Sequence, residues 1–437
     1  MRQISERVAI HTLGCKVNQN ESEALAAEFI QKGYEIVDFA EEADIYIINT
    51  CTVTHLSDRK SRQMLRRAVR KNPEATVVAT GCYSQVNSEE IEKISGVDLI
   101  LGNQEKYELV HLVESYRYKG EKKVGIEDIS QIHSFGEFSA ERLIGRTRAY
   151  LKIQDGCEQF CSYCIIPYAR GPLRSRKAEM VIAEAKSLCE RGFREIILTG
   201  IHVGMYGREN GEINLVQIIQ RIMEETNIAR LRLSSIEPVE VTSELIELAA
   251  KEERFCPHFH IPLQNGSDEI LTRMNRPYDT TYYAELVEFI RAKIKEVAIT
   301  SDLMVGFPGE TEDNFRQSYD FIKRMGFSSL HVFKYSPRKG TPAADFADQI
   351  PESVKDRRSA LMLDLAQELT ESFAKEYLGK TVEVLLEEEI SSQKWRGHTG
   401  NYLQIIATGE ASSGIFARVR IEKSEKGVLF GRIIEDI

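Results

Sequence analysis

Long hydrophobic runs are missing from this chain. Apolar stretches such as Ile45-Tyr46-Ile47-Ile48 have only the length of a strand, so no segment is expected to span a membrane. The opening, MRQISERVAIHTLGC, is broken by arginine and lacks the apolar core of a secretory signal, which predicts a cytoplasmic protein. Cysteine is sparse, eight in 437 residues, far below the density of a disulfide scaffold, so the eight read as thiols. No internal repeat or low-complexity tract is present, and there is a single tryptophan, Trp395. Excess positive charge is lacking too. A formal net charge of −10 argues against a chain that coats nucleic acid indiscriminately.

What is present is enough apolar material, 42% of residues, for two or three packed domains. The positive charge is concentrated in two places. From Leu56 to Lys71 there are seven basic residues (Arg59, Lys60, Arg62, Arg66, Arg67, Arg70, Lys71) against Asp58 alone. From Arg142 to Lys177 there are eight (Arg142, Arg146, Arg148, Lys152, Arg170, Arg174, Arg176, Lys177) against Asp155 and Glu158. Either stretch alone fits a solvated face; together, in an acidic protein, they point to a confined polyanion site.

The chain is expected to be α/β, with three segments. Residues 1–120 alternate strands (8–12, 45–50, 77–81, 98–102) with helices (20–32, 56–71, 88–94), the pattern of a parallel sheet. A polar connector of irregular structure follows at 121–142. Residues 143–375 offer six strands (149–154, 195–200, 231–235, 258–263, 299–305, 330–335) separated by helices, a partial (β/α)6 barrel, and close with a helix at 352–377. After Gly379, TVEVLLEE, NYLQIIATG, FARVRIEK and GVLFGRII predict a small all-β barrel over 376–437.

Two cysteine triads carry the chemistry. Cys157-x3-Cys161-x2-Cys164 lies directly after the first barrel strand, so three soft sulfur donors share one short loop. A structural zinc site wants four closed ligands, and no fourth cysteine or histidine stands at local spacing. Three ligands on a four-iron cube leave one iron open for a substrate. The second triad is dispersed: Cys15, Cys51 and Cys82 each follow the carboxyl end of a predicted strand. In an open parallel sheet those ends share one crevice. The plain alternative, three core cysteines, would place them inside the strands. Cys189 and Cys256 read as packing residues, and His11 and His260 as strand residues that are not ligands.

The Cys-x3-Cys-x2-Cys loop resembles the radical S-adenosylmethionine superfamily. Across the whole chain, TLGCKVNQNESE, NTCTVT, GCYSQ, KIQDGCEQFCSYCIIPYARG, LRSR, LTGIHVGMYG, SSIEP, HIPLQNGS and DLMVGFPGETE resemble the methylthiotransferases, segment by segment and in order. The C-terminal domain resembles the TRAM domain, an RNA-binding module. TLGCKVNQNESE with INTCTVT is most similar to the branch acting on tRNA N6-threonylcarbamoyladenosine at position 37, beside the anticodon.

The resemblance implies two [4Fe-4S] clusters. Cys157, Cys161 and Cys164 would hold the one that splits S-adenosylmethionine to a radical, and Cys15, Cys51 and Cys82 an auxiliary one that carries or supplies sulfur. A second S-adenosylmethionine would give the methyl group. It also implies a tRNA anticodon loop as partner and a reductant of the flavodoxin or ferredoxin type; no oligomer and no membrane are implied. Polar residues at the carboxyl ends of the barrel strands are the cofactor candidates. They are Thr199 and Gly200, with His202 beyond them, then Ser234, Ser235 and Glu237, then Gln264, with Asn265 and Ser267, and then Asp302 before the Gly306–Gly309 turn. Of these, Ser235 and Glu237 are favoured for the amino-acid or ribose end. Asn265 departs from the serine expected in HIPLQSGS.

RNA phosphates are expected on Arg59, Arg62, Arg66 and Arg70, which share a helix face by i+3 and i+4 spacing. Arg170, Arg174 and Arg176 follow the cluster loop closely and are expected to orient substrate. From Glu376 onward eight basic residues meet ten acidic ones, so the last domain needs a local patch, Arg418, Arg420 and Lys423. Trp395 is a candidate stacking residue in a loop. The competing readings are a methylthiotransferase acting on isopentenylated adenosine or a ribosomal protein, and a non-catalytic RNA-binding protein with structural metal sites. A thiol–disulfide oxidoreductase is disfavoured, since no Cys-x-x-Cys stands apart from the triad.

Overall fold

A computed structural model describes residues 5–120, 123–138 and 147–436. Arg142 and Arg146 of the second basic segment lie outside the described residues. In chain order the strands begin with β1 (Arg7–Thr12), β2 (Glu35–Val37), β3 (Ile45–Thr50), β4 (Thr76–Gly81), β5 (Leu99–Leu101) and β6 (Lys123–Gly125). Next come β7 (Arg148–Lys152), β8 (Gln154–Asp155), β9 (Arg174–Ser175), β10 (Glu195–Thr199), β11 (Arg230–Leu233), β12 (His258–His260), β13 (Ala298–Val305) and β14 (Ser329–Lys334). The last five are β15 (Thr381–Ser391), β16 (Lys394–Thr399), β17 (Gln404–Thr408), β18 (Phe416–Glu425) and β19 (Val428–Asp436). They fall into two compact units. One comprises 1–144, 154–175 and 336–344, the other 145–153, 176–335 and 345–437.

The first unit is built on a parallel sheet of order β2-β1-β3-β4-β5-β6. Its central strands β3 and β4 are buried throughout, because helices cover both faces. Alternation sorts the side chains. Tyr46 and Ile48 join Leu65 and Ala68 of α2 (His55–Lys71) in one core, while Ile45 and Ile47 join Leu25 and Phe29 of α1 (Lys16–Gln31) in the other. The start of α2 is fixed by Thr54, whose side chain accepts from the Ser57 amide, and by Asp58 in the first turn. Two strands of this sheet escape the sequence reading. β2 has only three residues, and β6 falls in the stretch read as an irregular connector, where it pairs with β5.

In the second unit β7, β10 and β11 form one parallel sheet and β12, β13 and β14 another. Parallel bridges Leu231–Phe255 and Ser235–His260 join them, giving six barrel strands in sequence order. Alternate residues (Leu151, Ile196, Leu198, Leu231, Leu233, Phe259, Leu303, Leu330) pack under the helices in one large core. The other set lines the bore and is largely polar: Glu195, Thr199, Arg230, Arg232, Ser234, His258, His260, Thr300, Asp302 and His331. The helix Glu312–Met325 begins with a Thr311/Asn314 capping box and stops at Gly326, which is left-handed at φ 59°.

The C-terminal strands close into a barrel of order β15-β16-β17-β19-β18 around Val384, Leu386, Trp395, Ile405, Ala417 and Val419. The sequence reading found four of its five strands. It missed β16, KWRGHT, where lysine, arginine and glycine mask the alternation that buries Trp395, Gly397 and Thr399. Trp395 is therefore not a loop residue. It is 6% exposed, its indole N–H donates to the Gly409 carbonyl at 3.2 Å, and it has no face to offer RNA.

Candidate active site

The dispersed triad is assembled by the sheet. β1, β3 and β4 run parallel, and Cys15, Cys51 and Cys82 lie within three residues of their carboxyl ends. Cys15 is exposed at the start of α1, whereas Cys51 and Cys82 are buried. Gly14 is left-handed (φ 99°), and a Cβ there would stand 2.9 Å from both Cβ and Sγ of Cys51. Only glycine lets the Cys51 thiol press so closely on the turn that carries Cys15. Burial pushes the Cys51 thiol up to about 11, and the neighbouring charges of Cys82 and Cys15 push the same way. A buried Cys51 thiol that resists ionising beside two other sulfurs suits a cation that would compensate its charge, so the donor set fits a soft metal centre.

Around this crevice lies a buried charged network that the sequence did not reveal. Arg170, fully buried, donates from Nε to Cys82 Sγ at 3.2 Å, from Nη1 to Glu21 at 2.6 Å and from Nη2 to Asn18 Oδ1 at 2.6 Å. Glu21 also accepts from the buried Lys106 at 2.6 Å. Asp155 is 3.2 Å from Arg170 and 3.7 Å from Arg174. These contacts overturn the assignment of Arg170 and Arg174 to RNA. Both are enclosed (0% and 4% exposed), and Arg174 is spent on backbone carbonyls of Arg170 and Ile132. Arg176 is corrected likewise, being 9% exposed and ion-paired to Glu184.

The local triad sits in the same unit, on the loop between β8 and the helix Ile166–Arg170. Gly156 (φ 77°) opens it, and a Cβ there would lie 1.8 Å from the Pro172 carbonyl. The loop can thus close on itself, with the Cys157 amide donating to Gly171 and the Cys164 amide to Cys161. Cys161 is buried, while Cys157 and Cys164 are half-buried, so the three thiols share one short, tied-down loop. Between them Phe160 is left-handed (φ 47°) and half-exposed, edge-on to Tyr168 at 5.9 Å.

In the second unit the polar rim of the barrel divides. Ser234 Oγ and Gln264 Oε1 are buried with no hydrogen-bond partner among the described residues. Gln264 is also held at φ 69°, an unusual conformation for a side chain with Cβ. Buried polar atoms left open in this way are candidates to meet a ligand. Thr199 ends β10 with Gly200 just beyond it, and Ser235 is exposed after β11. Glu237 is engaged instead by Arg276, and His202 by Glu240. Asp302 is engaged by His260 and His331. Burial alone would raise its carboxyl, but the two imidazoles outweigh that and hold it well below the usual carboxylate range. Asn265, fully buried, donates to Met304 O and Glu310 Oε1 at 3.3 and 3.0 Å. It works as scaffolding under the Gly306 turn, whose amide also donates to Glu310. Cys189 packs against the barrel core and Cys256 is buried.

Of the basic residues expected to meet phosphate, Arg59, Arg66 and Arg70 are exposed along α2 without ion pairs among the described residues. Arg62 leans back to donate to the Tyr83 hydroxyl. Arg418 and Arg420 alternate outward on β18. Arg418 lies 3.4 Å from Glu435, and Arg420 pairs across to Arg432 on β19. Among the described residues no helix is long and apolar enough to cross a membrane.

Three family models match in turn: the uncharacterized protein family UPF0004 over residues 7–102, the radical SAM superfamily over 151–322 and the TRAM domain over 375–434. Chains named threonylcarbamoyladenosine tRNA methylthiotransferase MtaB are similar throughout. That of Bacillus subtilis (strain 168) is 41% identical over 98% of this chain and 97% of its own, and that of Aquifex aeolicus (strain VF5) 41% over 95% and 100%. A tRNA-2-methylthio-N(6)-dimethylallyladenosine synthase from Methylacidiphilum infernorum is 33% identical over 97% and 94%. Among solved structures, the radical S-adenosylmethionine methyltransferase TsrM from Kitasatospora setae shares the fold, with TM-score 0.58 and 17% identity over 78% of this chain and 77% of its own. The radical SAM match brings with it S-adenosylmethionine and one [4Fe-4S] cluster, and the Cys157, Cys161, Cys164 loop falls inside it. With relatives of this identity along nearly its whole length, the chain belongs to the radical SAM methylthiotransferases.

Proposed function

We propose that this enzyme adds a methylthio group to C2 of N6-threonylcarbamoyladenosine at position 37 of tRNA, using two [4Fe-4S] clusters. The observation that carries the proposal is the placing of two separate cysteine triads in one unit, Cys15, Cys51 and Cys82 beyond the sheet and Cys157, Cys161 and Cys164 on the tied loop. The choice of substrate is supported by the relatives at 41% identity, which bear the threonylcarbamoyladenosine name, against 33% for the dimethylallyladenosine relative.

The C2–H bond of adenine has no proton acidic enough for a side-chain base, so the chemistry calls for a radical. Cleavage of S-adenosylmethionine at the reduced cluster on Cys157, Cys161 and Cys164 would supply it. Cys15, Cys51 and Cys82 would hold the second cluster, and the Arg170 guanidinium, donating to Cys82 sulfur, would lower the charge felt there. Ser234 and Gln264 offer their open polar atoms to S-adenosylmethionine, with Thr199, Gly200 and Ser235 beside them. Glu237 acts through Arg276. Arg59, Arg66, Arg70, Arg418 and Arg420 meet phosphates of the anticodon loop, where a single-stranded base can be turned out at modest cost. Electrons come from a reductant of the flavodoxin or ferredoxin type.

Nucleoside mass spectrometry of tRNA from a deletion strain tests the substrate. Loss of the methylthio mark from the threonylcarbamoylated base alone is expected. Loss from the isopentenylated base instead would overturn the assignment. Oxygen-protected protein should carry about eight irons, and about four would remove the second cluster.

A further inference from the structure

The bore of the barrel holds a group of side chains that the cysteine chemistry does not use. β12, β13 and β14 are neighbouring parallel strands, with His260 opposite Thr300 and Asp302 opposite His331. The residues flanking each of the three, such as Phe259, Leu303, Leu330 and Val332, pack outward under the helices, so His260, Asp302 and His331 project together into the bore. His260 Nε2 lies 3.3 Å from one carboxylate oxygen of Asp302, and His331 Nδ1 lies 3.1 Å from the other. One ligand atom from each residue falls within 4.8 Å of the other two.

We propose that His260, Asp302 and His331 form a mononuclear site for a borderline divalent cation, of the two-histidine, one-carboxylate kind. Two imidazoles with one carboxylate suit Zn2+, Fe2+ or Co2+ better than Ca2+ or Mg2+, which prefer all-oxygen shells. The outer shell has the form such sites need. Thr300 Oγ1 sits 2.9 Å from His260 Nδ1, which fixes the ring with its Nε2 turned to the site. The same hydroxyl lies 3.2 Å from His258 Nε2, so it is itself held. Asp302 has no lysine or arginine partner among the described residues, and its charge is available to a cation. Side-chain exposure rises from 14% at His260 through 28% at Asp302 to 71% at His331, which gives an ion a way in and leaves coordination positions open.

Those positions take oxygen donors. The threonylcarbamoyl group carries a carboxylate and a hydroxyl on adjacent carbons, a chelating pair that an isopentenyl group lacks. This step rests on the substrate proposed above, whereas the cation site does not. Placed here, Asp302 leaves the set of residues proposed to bind S-adenosylmethionine.

The test uses iron-loaded protein kept from oxygen, given two equivalents of Zn2+, desalted, and assayed for zinc and iron together. One zinc retained per chain with iron unchanged is expected. His331→Ala, at an exposed position that should not disturb folding, is expected to abolish retention, and Thr300→Val to weaken affinity about 10–100-fold. Zinc retained equally by His331→Ala, or gained only as iron is lost, overturns the site. With N-carbamoyl-L-threonine as probe, zinc-loaded protein should bind at least ten times more tightly than zinc-free protein. Equal binding overturns the ligand class. The nucleoside analysis judges the substrate separately, so the two failures are distinguishable.

Discussion

At the scale of single residues, the buried arginine at the crevice decides most. Arg170 satisfies Glu21, Asn18 and Asp155 and touches Cys82 in a region closed to water. Such a network stabilises only while complete, because removing one partner strands the others as buried charges. Arg170→Met is therefore expected to destabilise the first unit by about 3–5 kcal/mol. The double variant with Glu21→Gln should cost less than the sum of the two single changes, because either change alone already breaks the Arg170–Glu21 pair. Circular dichroism melts of the four proteins of the cycle check this, and strict additivity would refute the coupling. The sequence could not display this arrangement. Glu21, Lys106 and Arg170 are far apart along the chain and carry no spacing signal, and Arg170 looked like one more cation in a basic stretch.

At the scale of elements, α2 shows what periodicity can and cannot tell. The i+3 and i+4 spacing placed Arg59, Arg62, Arg66 and Arg70 on one face, and three of them are indeed exposed. Spacing gave no warning that Arg62 would turn to Tyr83. Replacing Arg66 and Arg70 by alanine should weaken tRNA binding and flatten the dependence of log Kd on log salt by up to about two units. Filter binding at several salt concentrations measures it, and an unchanged slope would remove α2 from the RNA surface. The barrel strands were legible because apolar and polar residues alternate along them. The short strands β2 and β6, and the charge-masked β16, were not, since three residues carry too little pattern. The positions of the cysteines, three just beyond strand ends and three on one loop, were readable from the sequence. His331 was not, because its meaning depends on the register between β13 and β14.

At the scale of the whole molecule, the catalytic barrel and the C-terminal barrel form one unit, joined by cations. Arg232 donates to Glu195 at 2.8 Å and to the carbonyls of Gly400 and Thr399. Arg230 donates to the His398 carbonyl and Glu383 and covers the Phe416 ring at 4.6 Å. Burial alone would raise the Glu195 carboxyl, but Arg232, Arg148 and Arg230 hold it below the ordinary range. Since its folded pKa lies under the unfolded value of about 4.3, this contribution is complete above that pH and is lost as pH falls through the folded value. Glu195→Gln should melt lower at neutral pH and lose less on acidification below about pH 4.3 than the parent. Emission from Trp395, the single tryptophan, buried in the adjoining barrel, follows the transition. Parallel curves for the two proteins would contradict the assignment.

The join has a further consequence. Carbonyls of residues 398–400 are the acceptors for guanidinium groups rooted in β11, so each barrel supplies groups that the other needs. Severing the chain after Gly379 would leave two sealed-in cations facing an empty wall and an aromatic surface around Phe416 bared to water. The last sixty residues are a keystone, and whatever they grasp is held at a set distance from the barrel's bore.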